Sequence, residues 1–278
     1  MSGVNITLLD GPMGSELERR GIELPAPEWS AYAVREHPDL VREIHNQYAQ
    51  AGADVHTTAT FRTTARALAG STEGPDWREL TQRAVALCRE GAGPLGRVAG
   101  GMAPLEDCYR PDLTPEDDVL FEEHSALAHC LADAGVDLLL IETIPTLREL
   151  AASVRAAVAT DLPVWAAITL GPEGDYFAGD DVQRAAAVAA EEGAQAFLLN
   201  CTASRYVEPL LRKLSRWAER PPTLGAYANT IFEHETDSSE AYTQTVASWV
   251  EAGADIVGGC CGTTVEHMHA LREAFRGS

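Results

Sequence analysis

The segment Ala252-Gly253-Ala254-Asp255 stands between an amphipathic stretch and a short apolar run, and junctions of this kind occur four times in the chain. The other three are Ala51-Gly52-Ala53-Asp54, Ala134-Gly135-Val136-Asp137 and Glu192-Gly193-Ala194-Gln195. Glycine at such a point can adopt the left-handed conformation that ends a helix before a strand begins. A junction repeated in this way predicts a series of β-α units.

Eight short runs rich in Val, Ile, Leu and Ala surround these junctions. Near-continuous apolar runs are typical of parallel strands that are buried on both faces. The predicted strands are Thr7–Leu9, Asp54–Thr58, Arg97–Gly100, Asp137–Ile141, Val164–Thr169, Ala196–Leu199, Thr223–Tyr227 and Asp255–Val257.

Amphipathic stretches alternate with these strands and are predicted to be helices. They are Pro38–Ala51, Asp76–Glu90, Pro115–Asp133, Leu147–Ala159, Asp181–Glu192, Tyr206–Arg220, Ser238–Glu251 and Val265–Arg276. Eight units favour an α/β fold closed into a (β/α)₈ TIM barrel over an open doubly wound sheet. No G-x-G-x-x-G motif follows the first strand, which argues against dinucleotide binding. The loops at 70–74, 91–96 and 171–181 are predicted to be connections, so residues 1–278 are predicted to form one domain.

The chain is strongly acidic, with a formal net charge of −21. Such a charge repels phosphate backbones and anionic lipid surfaces, so neither nucleic acid nor a membrane is an expected partner. No apolar stretch reaches 18 residues, and the N-terminus has no basic leader, which predicts a cytoplasmic protein without a membrane span. Small-molecule substrates are the expected partners. The sequence predicts no oligomeric state.

Six cysteines in a cytoplasmic chain are not expected to form a disulfide framework. Three of them follow predicted strands: Cys201 follows strand six, and Cys260 and Cys261 follow strand eight. Strand ends converge at the C-terminal face of a barrel, where the working residues lie. Three thiolates with one open position suit catalytic zinc, so we predict a metal site there.

Two glycines precede the vicinal cysteines, and we expect Gly258 and Gly259 to let the backbone bend so that both cysteines can bind one ion. A redox role for the pair stays open, although consecutive cysteines form only a strained disulfide. The other three cysteines are predicted to be small buried apolar residues: Cys88, Cys108 and Cys130.

Four segments taken together resemble the homocysteine S-methyltransferase family. They are Asp10-Gly11-Pro12-Met13-Gly14, Glu142-Thr143-Ile144-Pro145, Asn200-Cys201-Thr202 and Gly258-Gly259-Cys260-Cys261-Gly262-Thr263-Thr264. The resemblance extends from about Leu8 to Leu271. The family includes betaine-homocysteine methyltransferases, S-methylmethionine-dependent enzymes and the homocysteine module of cobalamin-dependent methionine synthase. It implies zinc held by the three cysteines, with homocysteine sulfur completing the coordination.

The resemblance also implies substrate-binding roles. Asp10 and Glu142 match carboxylates that hold the α-amino group, Gly11 matches a backbone position near the amino-acid carboxylate, and Asn200 lies beside a metal ligand. The alternative is that Asp10 forms a turn before glycine and that Glu142 is a satisfied polar group at a strand end. Two segments depart from the family pattern and leave their contacts open: Thr58-Ala59-Thr60-Phe61 and the short loop Gly171-Pro172-Glu173-Gly174-Asp175.

The expected activity is methyl transfer from a small donor to zinc-bound homocysteine thiolate, which forms methionine. S-methylmethionine is the preferred donor, with S-adenosylmethionine and betaine as alternatives, because the chain has no room for separate folate and cobalamin domains. Two other interpretations remain. The acceptor could be another thiol or a selenol, or the protein could be a zinc-thiolate module that is non-catalytic or works with a corrinoid-carrying partner.

Overall fold

The computed structural model of the chain describes residues 6–69, 76–176, 181–231 and 238–277. These contain eight parallel strands in the spatial order β1-β8-β7-β6-β5-β4-β3-β2. Their bounds are β1 Thr7–Leu8, β2 Val55–Thr57, β3 Arg97–Met102, β4 Leu138–Ile144, β5 Val164–Ile168, β6 Ala196–Ala203, β7 Thr223–Asn229 and β8 Ile256–Val257. A parallel bridge between Leu9 and Val55 joins β1 to β2 and closes the sheet. The predicted (β/α)₈ barrel is confirmed.

Helices surround the barrel. Those in the described ranges are α1 Met13–Arg19, α2 Ser30–Glu36, α3 Pro38–Ala51, α4 Ala65–Leu68, α5 Trp77–Ala92, α6 Asp117–Asp133, α7 Leu147–Val158, α8 Val182–Glu191, α9 Val207–Ser215, α10 Ser239–Glu251 and α11 Val265–Arg276. None of the helices that the structure describes combines the length and the apolar character needed to cross a membrane.

The four junction glycines all have positive φ angles, as their place between a helix and a strand predicts. The angles are 103° at Gly52, 85° at Gly135, 102° at Gly193 and 110° at Gly253. A side chain would be strained in this left-handed region, which glycine adopts freely. The glycines therefore end α3, α6, α8 and α10 and direct the chain into the next strand.

Two apolar layers hold the barrel together. The inner layer fills the barrel with side chains from alternate strand positions, among them Leu140, Leu198 and Ile256. The outer and larger layer lies between the sheet and the helices and includes Phe197, Val246 and Trp249. Strands that are apolar on both faces, as the sequence predicts, are the consequence of this double burial.

Four strands continue further than predicted. β3 ends at Met102, β4 at Ile144, β6 at Ala203 and β7 at Asn229. Glu142-Thr143 and Asn200-Cys201 therefore lie within strands and not after them. The pairing of β4 and of β6 shifts register at these residues and then resumes. Apolar periodicity does not reveal the extensions of β4 and β6, because polar residues such as Glu142 and Asn200 interrupt the apolar run.

The sequence did not predict α1, α2 or α4, and the helix predicted over Tyr206–Arg220 ends at Ser215. Each of the three missed helices is at most 7 residues long, too short for a periodic pattern to stand out. The loop predicted at 91–96 begins within α5, which continues to Ala92. The loop predicted at 70–74, part of the loop at 171–181 and the first residues of the predicted domain lie outside the described residues.

Candidate functional site

The structure brings three cysteine sulfurs together at the C-terminal mouth of the barrel. The Sγ atoms of Cys201, Cys260 and Cys261 all lie within 4.8 Å of one another. We call this group the cysteine cluster. Cys201 lies in β6, and the other two follow β8, so the convergence depends on closure of the barrel. No disulfide joins these residues.

An unusual backbone presents Cys201. Its φ angle is 49°, and Thr143 on β4, two strands away from β6, has a φ angle of 65°. Positive φ at a non-glycine residue costs about 1–2 kcal/mol and persists only where the surroundings hold it. Asn200 provides that support: its Oδ1 accepts a hydrogen bond from the Thr143 amide at 2.9 Å, and its Nδ2 donates to Thr143 Oγ1 at 2.9 Å. The amide of Asn200 thus ties β6 to β4 next to the cysteine cluster.

The sulfur of Cys201 is surrounded by hydrogen-bond donors. The side chains of Cys260 and Cys261 hydrogen-bond to it, which lowers the pKa of Cys201 well below its ordinary value and raises the pKa of Cys260 and that of Cys261, the latter to about 12. The Tyr109 hydroxyl lies 3.0 Å from this sulfur, and Asn229 Nδ2 donates to it over 3.6 Å. The hydrogen bonds within the cluster therefore converge on Cys201.

The glycines before the vicinal cysteines are required for space and not for a bend. Neither Gly258 nor Gly259 has a φ angle in the left-handed region. A Cβ on Gly258 would lie 2.7 Å from the Leu9 carbonyl oxygen, and a Cβ on Gly259 would overlap the Thr263 side chain. The expectation of a glycine-dependent bend was wrong: Gly258 is needed where the end of β8 approaches Leu9, and Gly259 is needed where the chain packs against Thr263.

Two carboxylates lie near the cysteine cluster: Asp10 is buried, and Glu142 is partly exposed towards the cavity. Asp10 is 4% exposed and accepts a hydrogen bond from the Thr57 amide at 3.0 Å. Burial raises the pKa of Asp10 well above its ordinary value, and the charge of Glu142 adds to this shift. Burial also raises the pKa of Glu142 to about 8, with a further contribution from Cys201. Such carboxyls gain most from a cation that enters beside them.

One cavity of about 770 Å³ connects these groups. Asp10, Gly11 and Glu142 line it together with the three cysteines. A Cβ on Gly11 would lie 2.5 Å from the Tyr48 hydroxyl oxygen, so glycine keeps this edge of the cavity open. Asn200 is fully buried and is not among the lining residues.

The two segments that depart from the family pattern lie in different places. Thr58, Ala59 and Phe61 line the cavity, so the strand-two segment forms part of its wall. The loop Gly171-Pro172-Glu173-Gly174-Asp175 is not part of that wall, and its Pro172 carbonyl accepts a hydrogen bond from the Tyr206 hydroxyl at 2.8 Å.

Sequence reasoning missed four residues that contact or adjoin the cluster. Tyr227 and Asn229 lie at the end of β7, where the strand-end rule applied to that strand would have found them. Tyr109 comes from the irregular loop after β3 and left no signal. Cys108, predicted to be a buried apolar residue, is buried in the same loop but lines the cavity. Cys88 and Cys130 are buried on helices, as predicted.

The arrangement offers three sulfur ligands, an open cavity and two carboxylates within reach of one small molecule. Sulfur ligands select soft or borderline metal ions such as zinc. The carboxylates suit an ammonium group. Such a site can hold an amino acid by its charged end while its side chain meets a metal.

Comparison with known proteins agrees with this reading. The sequence profile described as "Homocysteine S-methyltransferase" matches residues 7–275. A homocysteine S-methyltransferase of Bacillus subtilis is 29% identical over 96% of this chain and 93% of its own length. A selenocysteine methyltransferase of Astragalus bisulcatus is 26% identical over 95% of this chain and 90% of its own length. The crystal structure of the metallated homocysteine methyltransferase MmuM from Escherichia coli has a TM-score of 0.85 at 30% identity, over 97% of this chain and 96% of that one.

Proposed function

Because this chain belongs to the homocysteine S-methyltransferase family, a family of methyltransferase enzymes, we propose that it transfers a methyl group from S-methylmethionine to the thiol of homocysteine held at a zinc ion. Both products are methionine: homocysteine gains the methyl group and loses its thiol proton, and the donor becomes methionine when it leaves without that methyl group. The observation that carries the proposal is the shared cavity, which is lined by Cys201, Cys260 and Cys261 and by the carboxylates Asp10 and Glu142.

The cysteine cluster fits zinc by its chemistry and its size. Three sulfurs within 4.8 Å of one another can each reach the Zn–S distance of about 2.3 Å after small shifts. A zinc held by three protein ligands would leave a fourth position for a substrate atom, and the cavity lined by the three cysteines has room for one. When bound, zinc keeps a coordinated thiol deprotonated and nucleophilic at neutral pH, where a free thiol with a pKa of about 8.5 is mostly protonated.

The protein's own residues orient the amino acid. Asp10 and Glu142 receive the ammonium group of homocysteine, whose charge offsets the burial that raises the pKa of both carboxyls. The edge at Gly11 leaves room for the amino-acid carboxylate. Asn200 acts as a positioning residue, because its amide holds Thr143 and the backbone that presents Cys201.

The outer part of the cavity suits a cationic methyl donor. Trp29 and Phe61 meet edge to face with ring centroids 5.6 Å apart, and both line the cavity with Tyr109. Aromatic faces attract organic cations. Glu106 and Asp107 lie on the same wall with Arg62 and Arg66, and Arg66 forms an ion pair with Glu106, so the aromatic rings and not a net charge favour the cation there. Apposing donor and acceptor in one enclosed cavity lowers the entropic part of the barrier to direct displacement.

The experiment is a donor screen with purified, reduced protein, after zinc content has been measured. We expect one zinc at the cysteine cluster and methionine formation from homocysteine with S-methylmethionine, at a higher kcat/KM than with S-adenosylmethionine or betaine. No methionine from any of the three donors would refute the proposal. Turnover that appears only after a corrinoid protein is added would favour the partner-dependent module.

A selenol acceptor is the second candidate, because the Astragalus relative is named a selenocysteine methyltransferase. The same cluster would bind selenium, and the same carboxylates would bind the ammonium group. Competition between homocysteine and selenocysteine in one assay separates the two acceptors. A higher kcat/KM for the selenol would reassign the substrate and leave the metal site in place.

We also propose that residues 1–278 form one methyltransferase domain that works in the cytoplasm on small-molecule substrates. The single barrel over the described ranges supports the domain assignment. The net charge of −21 supports the absence of nucleic-acid and anionic-membrane partners. Six free cysteines are in keeping with a reducing compartment.

A further inference from the structure

A second group of metal-ligating side chains lies beside the barrel mouth. Asp10 follows β1, His56 lies in β2, and His45 projects from the buried face of α3. The Oδ2 atom of Asp10 is 3.9 Å from His45 Nδ1 and 4.0 Å from His56 Nδ1. One ligand atom from each residue lies within 4.8 Å of the other two. We call this group the histidine cluster.

Both imidazoles of the histidine cluster lack close hydrogen-bond partners. His45 is 1% exposed and His56 is fully buried; among the described residues no close hydrogen bond reaches their four ring nitrogens, and only the Ala53 backbone interacts with His56. An unpaired buried polar group costs about 1–3 kcal/mol, so buried groups of this kind normally have a protein, water or metal partner. The point between the three ligand atoms is where a shared partner would lie.

The size of the cluster fits a metal ion. An atom at the centre of the triangle would lie at most about 2.5 Å from each ligand atom. Shifts of a few tenths of an ångström would bring the ligands to the Zn–N and Zn–O distances of about 2.0–2.2 Å. Two imidazoles and one carboxylate are a common ligand set for zinc.

The charges of the surroundings also suit a dication. Burial lowers the pKa of His45 to about 3 and that of His56 to about 4, so both rings are neutral and have a free lone pair. Asp10 and Glu142 lie close enough for their charges to interact. Two carboxylates would balance one divalent ion. Asp10 lines the cavity, which gives the ion a route to the cluster.

We propose that Asp10, His45 and His56 form a second zinc site, distinct from the cysteine cluster. Its occupancy and the proposed binding of the substrate ammonium group exclude each other, because both use Asp10. This consequence rests on the proposed function, whereas the site itself does not. Free zinc would thus act as a competitive inhibitor with respect to homocysteine.

Zinc stoichiometry tests the site without any assay of activity. Purified, reduced protein is dialysed against buffered free zinc. We expect two zinc ions in the wild type, one in His56→Leu and two in His129→Ala, a control that removes an exposed histidine on α6. If His56→Leu fails to fold, His45→Leu removes another corner of the triangle. One zinc in the wild type, or two in the folded His56 or His45 variant, would overturn the proposal.

The ligands of the second zinc provide an independent readout. In Cys260→Ala, zinc-edge X-ray absorption should show nitrogen and oxygen ligands at about 2.0–2.1 Å. Sulfur around that zinc would overturn the proposal. In steady-state assays, free zinc should raise the KM of homocysteine severalfold in the wild type and leave it unchanged in His56→Leu. Two bound zinc ions without this KM effect would refute the competition, and absence of methyl transfer would refute the proposed function alone.

Discussion

The cysteine cluster and the histidine cluster each bring three metal-ligating atoms within 4.8 Å of one another, but their hydrogen bonding differs. The sulfur of Cys201 receives hydrogen bonds from both other cysteines and from Tyr109 and Asn229. No close hydrogen bond reaches the ring nitrogens of His45 and His56 in the described ranges, where only the Ala53 backbone interacts with His56. One cluster is therefore stabilised by the protein itself, and the other depends on what enters it.

The difference extends to the backbone. At the cysteine cluster the fold maintains positive φ angles at Cys201 and Thr143, and Asn200 holds the two residues together. At the histidine cluster none of the three residues has a positive φ angle. Backbone strain of this kind is often found at functional sites, where the surroundings determine the position of a reactive group.

Removing one sulfur should have the largest effect and should leave the histidine cluster intact. In Cys260→Ala we expect loss of the zinc at the cysteine cluster and a fall in kcat/KM of more than about 10²-fold. Mutation of a residue that only orients a metal ligand already lowers metal affinity or activity by about 10–100-fold, and loss of the ligand itself should cost more. Metal analysis and initial rates measure both effects. Cys130→Ala, which alters a buried cysteine on α6, is the matched control. Unchanged turnover in Cys260→Ala would contradict the cysteine site.

A smaller effect is expected where the strained backbone is held. Asn200→Ala removes both hydrogen bonds to Thr143 and leaves a buried amide unpaired, at a cost of about 1–3 kcal/mol. Zinc affinity at the cysteine cluster should fall about tenfold as Cys201 loses its fixed position. Competition with a zinc chelator and thermal unfolding measure the two changes. The control is Asn46→Ala, at an exposed position of α3, which should leave zinc affinity and thermal stability unchanged. If both variants lost zinc affinity equally, Asn200 would have no specific role in positioning Cys201.

The smallest effect is a difference in how stability depends on pH. The pKa of Glu142 rises from 4.5 to about 8 on folding, so the folded protein binds more protons and loses stability as pH rises through this range. The histidines have the opposite sign: the pKa of His56 falls from 6.5 to about 4, so stability is lost as pH falls between these values. Burial is the main cause of both shifts.

Urea unfolding of chelator-treated protein between pH 5 and 8 should separate these contributions. Glu142→Gln should flatten the alkaline side of the stability profile, and His56→Leu should flatten the acid side. If both variants kept the wild-type dependence of the unfolding free energy on pH, the two groups would have the same pKa in the folded protein as in the unfolded chain.

Much of the fold could be predicted from the sequence because its signals are local. All eight strands lie where apolar runs predict them, and the junction glycines such as Gly52 and Gly253 have the expected positive φ angles. The three cysteines could be placed together because parallel strands of a barrel present their C-terminal ends at one mouth. The motifs that resemble the methyltransferase family also lie on or next to strand ends. They could therefore be assigned to one site at the barrel mouth.

Only the tertiary structure decided the contacts between distant residues. His45 and His56 lie on a helix and a strand that show no pattern linking them to Asp10, and they meet only when α3 packs against the barrel. Tyr109 reaches Cys201 across 92 positions from an irregular loop. The requirement for Gly258 comes from the close approach of β8 to Leu9. Periodicity reports which face of an element is buried, whereas the neighbour of each buried atom is determined by packing.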